Sequence, residues 1–124
     1  MSVLNVTPMI AVADIDATSG VLCDCLGSEQ SFRVEGYAYM RHAAGGIRVI
    51  EAPEEADMDD PARQVIVSID TDDVDAYVVR PRAALEDLPE GRMCPPFDQP
   101  YQQREFLAIH GPVLFMADQD VRPR

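Results

Sequence analysis

The sequence predicts an α+β domain made of two copies of a βαβββ module, and three observations carry that prediction. A four-residue segment recurs: Asp14-Ile15-Asp16-Ala17 and Asp73-Val74-Asp75-Ala76 stand nearly half the length of the 124-residue chain apart. Each copy follows a run of β-type residues, around Val12 in the first and Val65-Ile66-Val67-Ser68-Ile69 in the second, and opens a stretch with helical character. Behind each helix come short strand-like pieces divided by turn residues. The length fits one domain with a core of its own, with module one at about 1–56 and module two at about 62–124.

Taken in order, Asp14 and Asp73 are N-cap residues, because a carboxylate at a helix start accepts hydrogen bonds from unpaired backbone N–H groups and suits the helix dipole. The first helix is expected from about Asp16 to Leu26, ending at Gly27, which tolerates the left-handed conformation of a C-cap. Strands follow at Gln30–Val34, Tyr37–His42 and Ile47–Glu51, with Glu35-Gly36 and Ala43-Ala44-Gly45-Gly46 as turns. Ala52–Pro61 is acidic, bounded by prolines and without periodicity, and reads as a linker. In the second module the helix after Asp73 meets Pro81, which removes a backbone donor and should kink or end it. Arg92–Phe97, Arg104–Ile109 and Val113–Ala117 complete the set of strands, with His110-Gly111-Pro112 as a tight turn.

Composition narrows the function. Net charge is −12, with 22 acidic residues against 10 basic ones, all arginine. Nucleic acid is excluded as a partner, since phosphate binding needs a basic face; an acidic surface instead concentrates cations. No window approaches the roughly 18 apolar residues of a membrane span, and the N-terminus shows no secretory signal, so a soluble, cytoplasmic protein is expected. Cys23, Cys25 and Cys94 are odd in number and lack redox or zinc spacing, so they read as free thiols.

A doubled βαβββ module resembles the vicinal oxygen chelate superfamily, which includes glyoxalase I, extradiol dioxygenases, fosfomycin-resistance enzymes and bleomycin-resistance binding proteins. Thr7-Pro8-Met9-Ile10-Ala11-Val12-Ala13-Asp14 is similar to that family's first strand and helix entry, Cys25-Leu26-Gly27 to its helix-ending Leu-Gly, and Tyr37-Ala38-Tyr39-Met40 to its third strand. Gln99-Pro100-Tyr101-Gln102-Gln103-Arg104-Glu105-Phe106 resembles the Pro-aromatic-Gly-x-Arg-Glu-Phe box of the bleomycin-resistance branch, with Gln102 in the glycine position. The hairpin before the last strand is shortened to His110-Gly111-Pro112. The resemblance implies a curved mixed sheet with a cleft, and a twofold homodimer whose clefts lie between chains.

The superfamily's enzymes hold a divalent metal with His, Glu or Gln from strand positions facing the cleft, because such a cation needs three or four donors. By the resemblance these positions fall on Thr7, on Gln64 or Val65, and on Leu114 or Phe115, which do not make a chelating set. His42 and His110, the two histidines, stand at strand ends beside turns. Glu51 and Gln64 are polar candidates for the cleft, whereas Glu105 is expected to be a salt-bridge partner. No metal, no cofactor and no catalytic residue set is expected.

The resemblance then implies a metal-free binding protein that sequesters a planar, cationic drug or metabolite. Tyr37 and Tyr101 fall where the bleomycin-binding proteins place rings that sandwich the ligand's flat tail, and such rings also attract cations. Tyr39, Phe32, Glu51 and Arg104 complete the expected ligand-binding set. β-propensity alone would also put tyrosines on half-buried strands. The alternatives are a metal-dependent lyase, isomerase or dioxygenase of the same superfamily, and a metal-free accessory protein with another ligand.

Overall fold

The computed structural model describes residues 1–79 and 93–122, which form two compact units, Met1–Asp59 and Asp60–Arg124. The sequence reading that Pro81 breaks the second helix lies outside these residues.

The first unit runs β1 (Met9–Val12), α1 (Ile15–Gly20), β2 (Glu29–Val34), β3 (Tyr37–His42) and β4 (Gly45–Glu51). Asp14 starts the helix: its backbone is extended and its carboxylate accepts the Ala17 N–H at 3.1 Å. Past Gly20 the chain winds one wider π-type turn, Val21–Cys25, and stops where Gly27 takes φ +70° and the Ser28 N–H donates to the Leu22 carbonyl at 2.9 Å. The sheet order is β1-β4-β3-β2, with β1 parallel to β4 and the other pairs antiparallel. Period-two alternation puts Ile10, Val12, Ala38, Met40, Ile47 and Val49 on one face, all buried. Ile15, Leu22 and Leu26 from the helical segment are buried with them, and each such aliphatic side chain contributes roughly 1.5–3 kcal/mol.

The four-residue turn expected at Ala43–Gly46 is shorter in the structure. The ladder runs on to the pair His42 and Gly45, leaving Ala43-Ala44 as the turn with Ala43 at φ +54°. Gly46 is a strand residue because the ring of Tyr39 lies against it: a Cβ there would stand 2.3 Å from Tyr39 Oη. Its glycine serves a close approach within the sheet and not a turn.

The second unit repeats the plan: a short 3-10 turn (Pro61–Arg63), β5 (Val65–Asp70), α2 (Val74–Val79), β6 (Met93–Asp98), β7 (Gln103–His110) and β8 (Val113–Asp120). Asp73 repeats the part of Asp14, accepting the Ala76 N–H at 3.1 Å. The order is β5-β8-β7-β6, with β5 parallel to β8. Thus each unit is a four-stranded mixed sheet with a helix on one face, and the chain carries the βαβββ order twice. Pro95-Pro96, which have no N–H to give a ladder, coincide with the register break in edge strand β6 between Cys94 and Phe97.

β8 outruns the apolar stretch that marks it in the sequence, because its polar end finds partners. Asp118 accepts from Ser68 Oγ, and Gln119 Oε1 accepts the Val74 N–H at 2.9 Å, tying the strand to the start of α2. Among the described residues no helix is long and apolar enough to cross a membrane. Cys23 and Cys94 are free thiols.

Candidate functional site

In each unit the helix covers one face of the sheet, so the opposite face is where side chains are free to meet a ligand. In the first unit that face carries an aromatic cluster. Phe32 pairs with Tyr39 across the β2–β3 ladder, and the Phe32 and Tyr37 rings meet edge to face at 6.1 Å with planes at 62°. Phe32 is 55% exposed, while Tyr37 and Tyr39 are half-buried. The bare Gly46 is what allows the Tyr39 ring to lie on the sheet. Three of the expected ligand residues are thus brought together.

Glu51 is not brought to them. It shares strand parity with Ile47 and Val49, the helix-facing residues of β4, and is exposed at the strand end. There it lines a recess of about 670 Å³ with Ala13, Gly36, Pro53, Glu54 and Met58.

In the second unit Tyr101 projects from the turn between β6 and β7, 57% exposed. Gln102, which follows it, holds φ +65°, the left-handed conformation that glycine adopts freely. The backbone therefore keeps the bend for which the resembling box uses glycine. Tyr101 Oη donates to Glu105 at 2.7 Å, and Gln99 Nε2 donates to the same Glu105 oxygen at 2.9 Å. Glu105 stands directly opposite Asp118 across the β7–β8 ladder, and their carboxyls are in hydrogen-bonding contact.

Glu105 was expected to be a salt-bridge partner, and the structure corrects this: its neighbours are a second acid and neutral donors. Burial pushes the Asp118 carboxyl up to about 6, and contact with Glu105 and the charge of Asp70 act the same way against the donor Ser68. Burial opposes the Glu105 charge too, but hydrogen bonds from Asp118, Tyr101 and Gln99 outweigh it and hold its carboxyl below the usual range. At neutral pH this is a pair in which the Glu105 charge is held and the Asp118 charge is costly. The pairing was within reach of the sequence, since a two-residue turn at Gly111-Pro112 sets the register that places these acids opposite each other.

Arg104 lies on the other face. Its Nε and Nη2 grip both Asp75 oxygens at 2.8 and 3.0 Å, and Nη1 reaches Asp98 at 3.2 Å. Its hydrogen bonds to Asp75 and Asp98 raise the guanidinium's proton affinity further, so it is a strut between α2 and the sheet.

The family's metal positions do not fit a metal here. Thr7 precedes β1, Gln64 and Val65 are exposed around the start of β5, and Leu114 is half-buried. Phe115 is fully buried with Val113 and Ala117, on the face that Gln119 shows to α2, so it is a core residue. Among the described residues no group of three or more His, Cys, Asp or Glu could hold a metal ion. Burial lowers the proton affinity of His42.

No protein-family model and no curated protein sequence matches the chain. Solved structures do. A bleomycin resistance determinant encoded on the transposon Tn5 superposes with a TM-score of 0.71 at 18% identity, covering 94% of this chain and 97% of that one. The bleomycin-binding protein from bleomycin-producing Streptomyces verticillus, in complex with copper(II)-bleomycin, gives 0.69 at 18% identity over 94% and 96%. The fosfomycin resistance protein FosX from Mesorhizobium loti gives 0.64 at 12% identity over 95% and 93%. At such identities the likeness shows the fold, that of the glyoxalase/bleomycin-resistance structures.

Proposed function

We propose that this protein binds and sequesters a small planar, cationic molecule without using a metal. The observation that carries the reading is the aromatic cluster Phe32, Tyr37 and Tyr39 on the helix-free face of the first sheet, seated over the side-chain-free Gly46. Aromatic faces stack on flat heteroaromatic groups at small entropic cost and attract positive charge. The exposed ring of Tyr101 in the second unit is assigned the same work. The net charge of −12 favours a cation over an anion. Similar folds in proteins that bind bleomycin support a drug as the ligand class.

The reading includes a homodimer in the cytoplasm. Glu51 and Arg104 keep lesser parts: Glu51 as a source of negative potential at the strand end, Arg104 as the strut that holds Asp98 and Asp75. A metal-dependent enzyme is the competing reading, favoured by the likeness to FosX, and the apolar residues at Leu114 and Phe115 weigh against it.

The test is a thermal-shift and calorimetric screen with bleomycin and other planar cations against uncharged planar analogues. A ligand in excess of its Kd raises apparent stability by mass action, and only the cations should do so. A protein stabilised equally by the uncharged analogues, or by none of the set, would refute the reading. Sedimentation at micromolar concentration gives the oligomeric state, and a mass of one chain would remove the homodimer from it.

A further inference from the structure

Glu105 and Asp118 are 3% and 6% exposed and face each other across β7 and β8. Among the described residues, the groups that contact or pair with them are neutral or acidic: Tyr101 from the β6–β7 turn, Gln99 before it, Phe97 opposite Glu105 on β6, and Ser68 and Asp70 on β5. Arg104, adjacent in sequence, is bound to Asp75 and Asp98 on the opposite face. Asp118 Oδ1 is buried and accepts no hydrogen bond from any donor among the described residues. Buried acceptors are nearly always satisfied, so Asp118 Oδ1 is the one oxygen of the pair that still calls for a donor when its carboxyl is ionised.

We propose that the Glu105–Asp118 pair is the seat of the ligand's positive charge, taking an ammonium or amidinium group that enters beside the exposed Tyr101 ring. This rests on the reading of the protein as a binder of planar cations and adds the atoms that would recognise the charge. Such a group brings N–H donors for Asp118 Oδ1 and for Glu105, and it takes the place of the one proton the two carboxyls otherwise share. The phenol of Tyr101 is then positioned to do both jobs, its ring offering a π face to the ligand and its Oη donating to Glu105. A hard divalent ion fits less well, because it demands six or more oxygen ligands and the pair adds only the Ser68 and Tyr101 hydroxyls.

Competition with a proton sets the size of the effect. With Asp118 pushed up to about 6, roughly nine in ten molecules hold the proton at pH 5 and very few at pH 7.5, so affinity for the cation should fall about tenfold between those values. The experiment uses the whole chain carrying ¹³C-carboxyl aspartate and glutamate, titrated with benzamidine, with benzyl alcohol as its uncharged counterpart, and with calcium chloride. Benzamidine should move the Glu105 and Asp118 carboxyl signals, bind about tenfold more weakly at pH 5 than at pH 7.5, and lose that dependence in Asp118→Asn. Carboxyl signals that do not move with benzamidine, that move equally with benzyl alcohol, or that respond to calcium instead overturn the proposal. If Asp118→Asn does not fold, the pH dependence in the unaltered chain decides. The Tyr37 and Tyr39 ring signals are read in the same spectra: planar cations that perturb the rings but not the carboxyls defeat this inference and leave the proposed function standing.

Discussion

Replacing Asp118 by asparagine should stabilise the protein at neutral pH, and the amount follows from the carboxyl pair. Asp118 ionises near 6 in the fold against 3.8 for an ordinary aspartate. Its charge therefore costs the folded state about 3 kcal/mol at pH 7.5, at about 1.36 kcal/mol per pH unit. The sign follows from linkage: a carboxyl whose folded value is raised contributes its full stability below the unfolded value and loses it as pH climbs from about 4 through 6. Asparagine keeps the shape, accepts from Ser68 Oγ and donates to Glu105, so the hydrogen bonds survive while the charge does not. Urea titrations of both proteins from pH 4.5 to pH 8 should show Asp118→Asn ahead by about 1–3 kcal/mol at pH 7.5, the lower figure allowing for relaxation of the pair, and by only about a third of that lead at pH 4.5. A variant that is destabilised at every pH, or ahead by the same amount throughout, would show that the Asp118 charge is not what burial makes costly.

Glu105→Gln should act in the opposite direction: the lowered Glu105 carboxyl contributes stability above its unfolded value that is lost in acid, so the variant's deficit at pH 7 should shrink towards pH 3, and the Asp118 carboxyl should titrate below 6, as ¹³C shifts can read. Gln102→Gly relieves a φ of +65° and should raise stability by about 1 kcal/mol in a denaturant titration; a loss would mean that the Gln102 side chain holds the turn. Gly46→Ala drives a methyl to within 2.3 Å of Tyr39 Oη, so the ring must swing off the sheet; unchanged Tyr39 ring shifts and unchanged ligand affinity would refute the close approach. Tyr37→Ala and Tyr101→Ala should each weaken a planar cationic ligand by roughly tenfold in calorimetry, since a stacked ring contributes on the order of 1 kcal/mol, and an affinity untouched by the double variant would put the ligand elsewhere.

By itself the sequence determined the parts that local chemistry controls. The repeated Asp-x-Asp-Ala segment marked both helix starts, because an N-cap is a bond between a side chain and a backbone group three residues on, as Asp14 with Ala17 and Asp73 with Ala76 confirm. Tyr37–His42 was legible to the residue, since alternation and a Glu-Gly turn bound it on one side. The doubled βαβββ order followed from these local signals. What only the tertiary structure decided involved partners distant in the chain. Gly46 looked like a turn residue until the ring of Tyr39 occupied the space of its missing side chain. Arg104 looked available to a ligand until Asp75, on α2, took two of its three guanidinium nitrogens and Asp98 the third. The sequence left open whether Leu114 or Phe115 faces the cleft until strand parity put Phe115 in the core. Glu105 looked like half of a salt bridge until the β7–β8 register set it against Asp118, and burial, which has no signature in a linear pattern, made that meeting of two acids costly and so chemically distinctive.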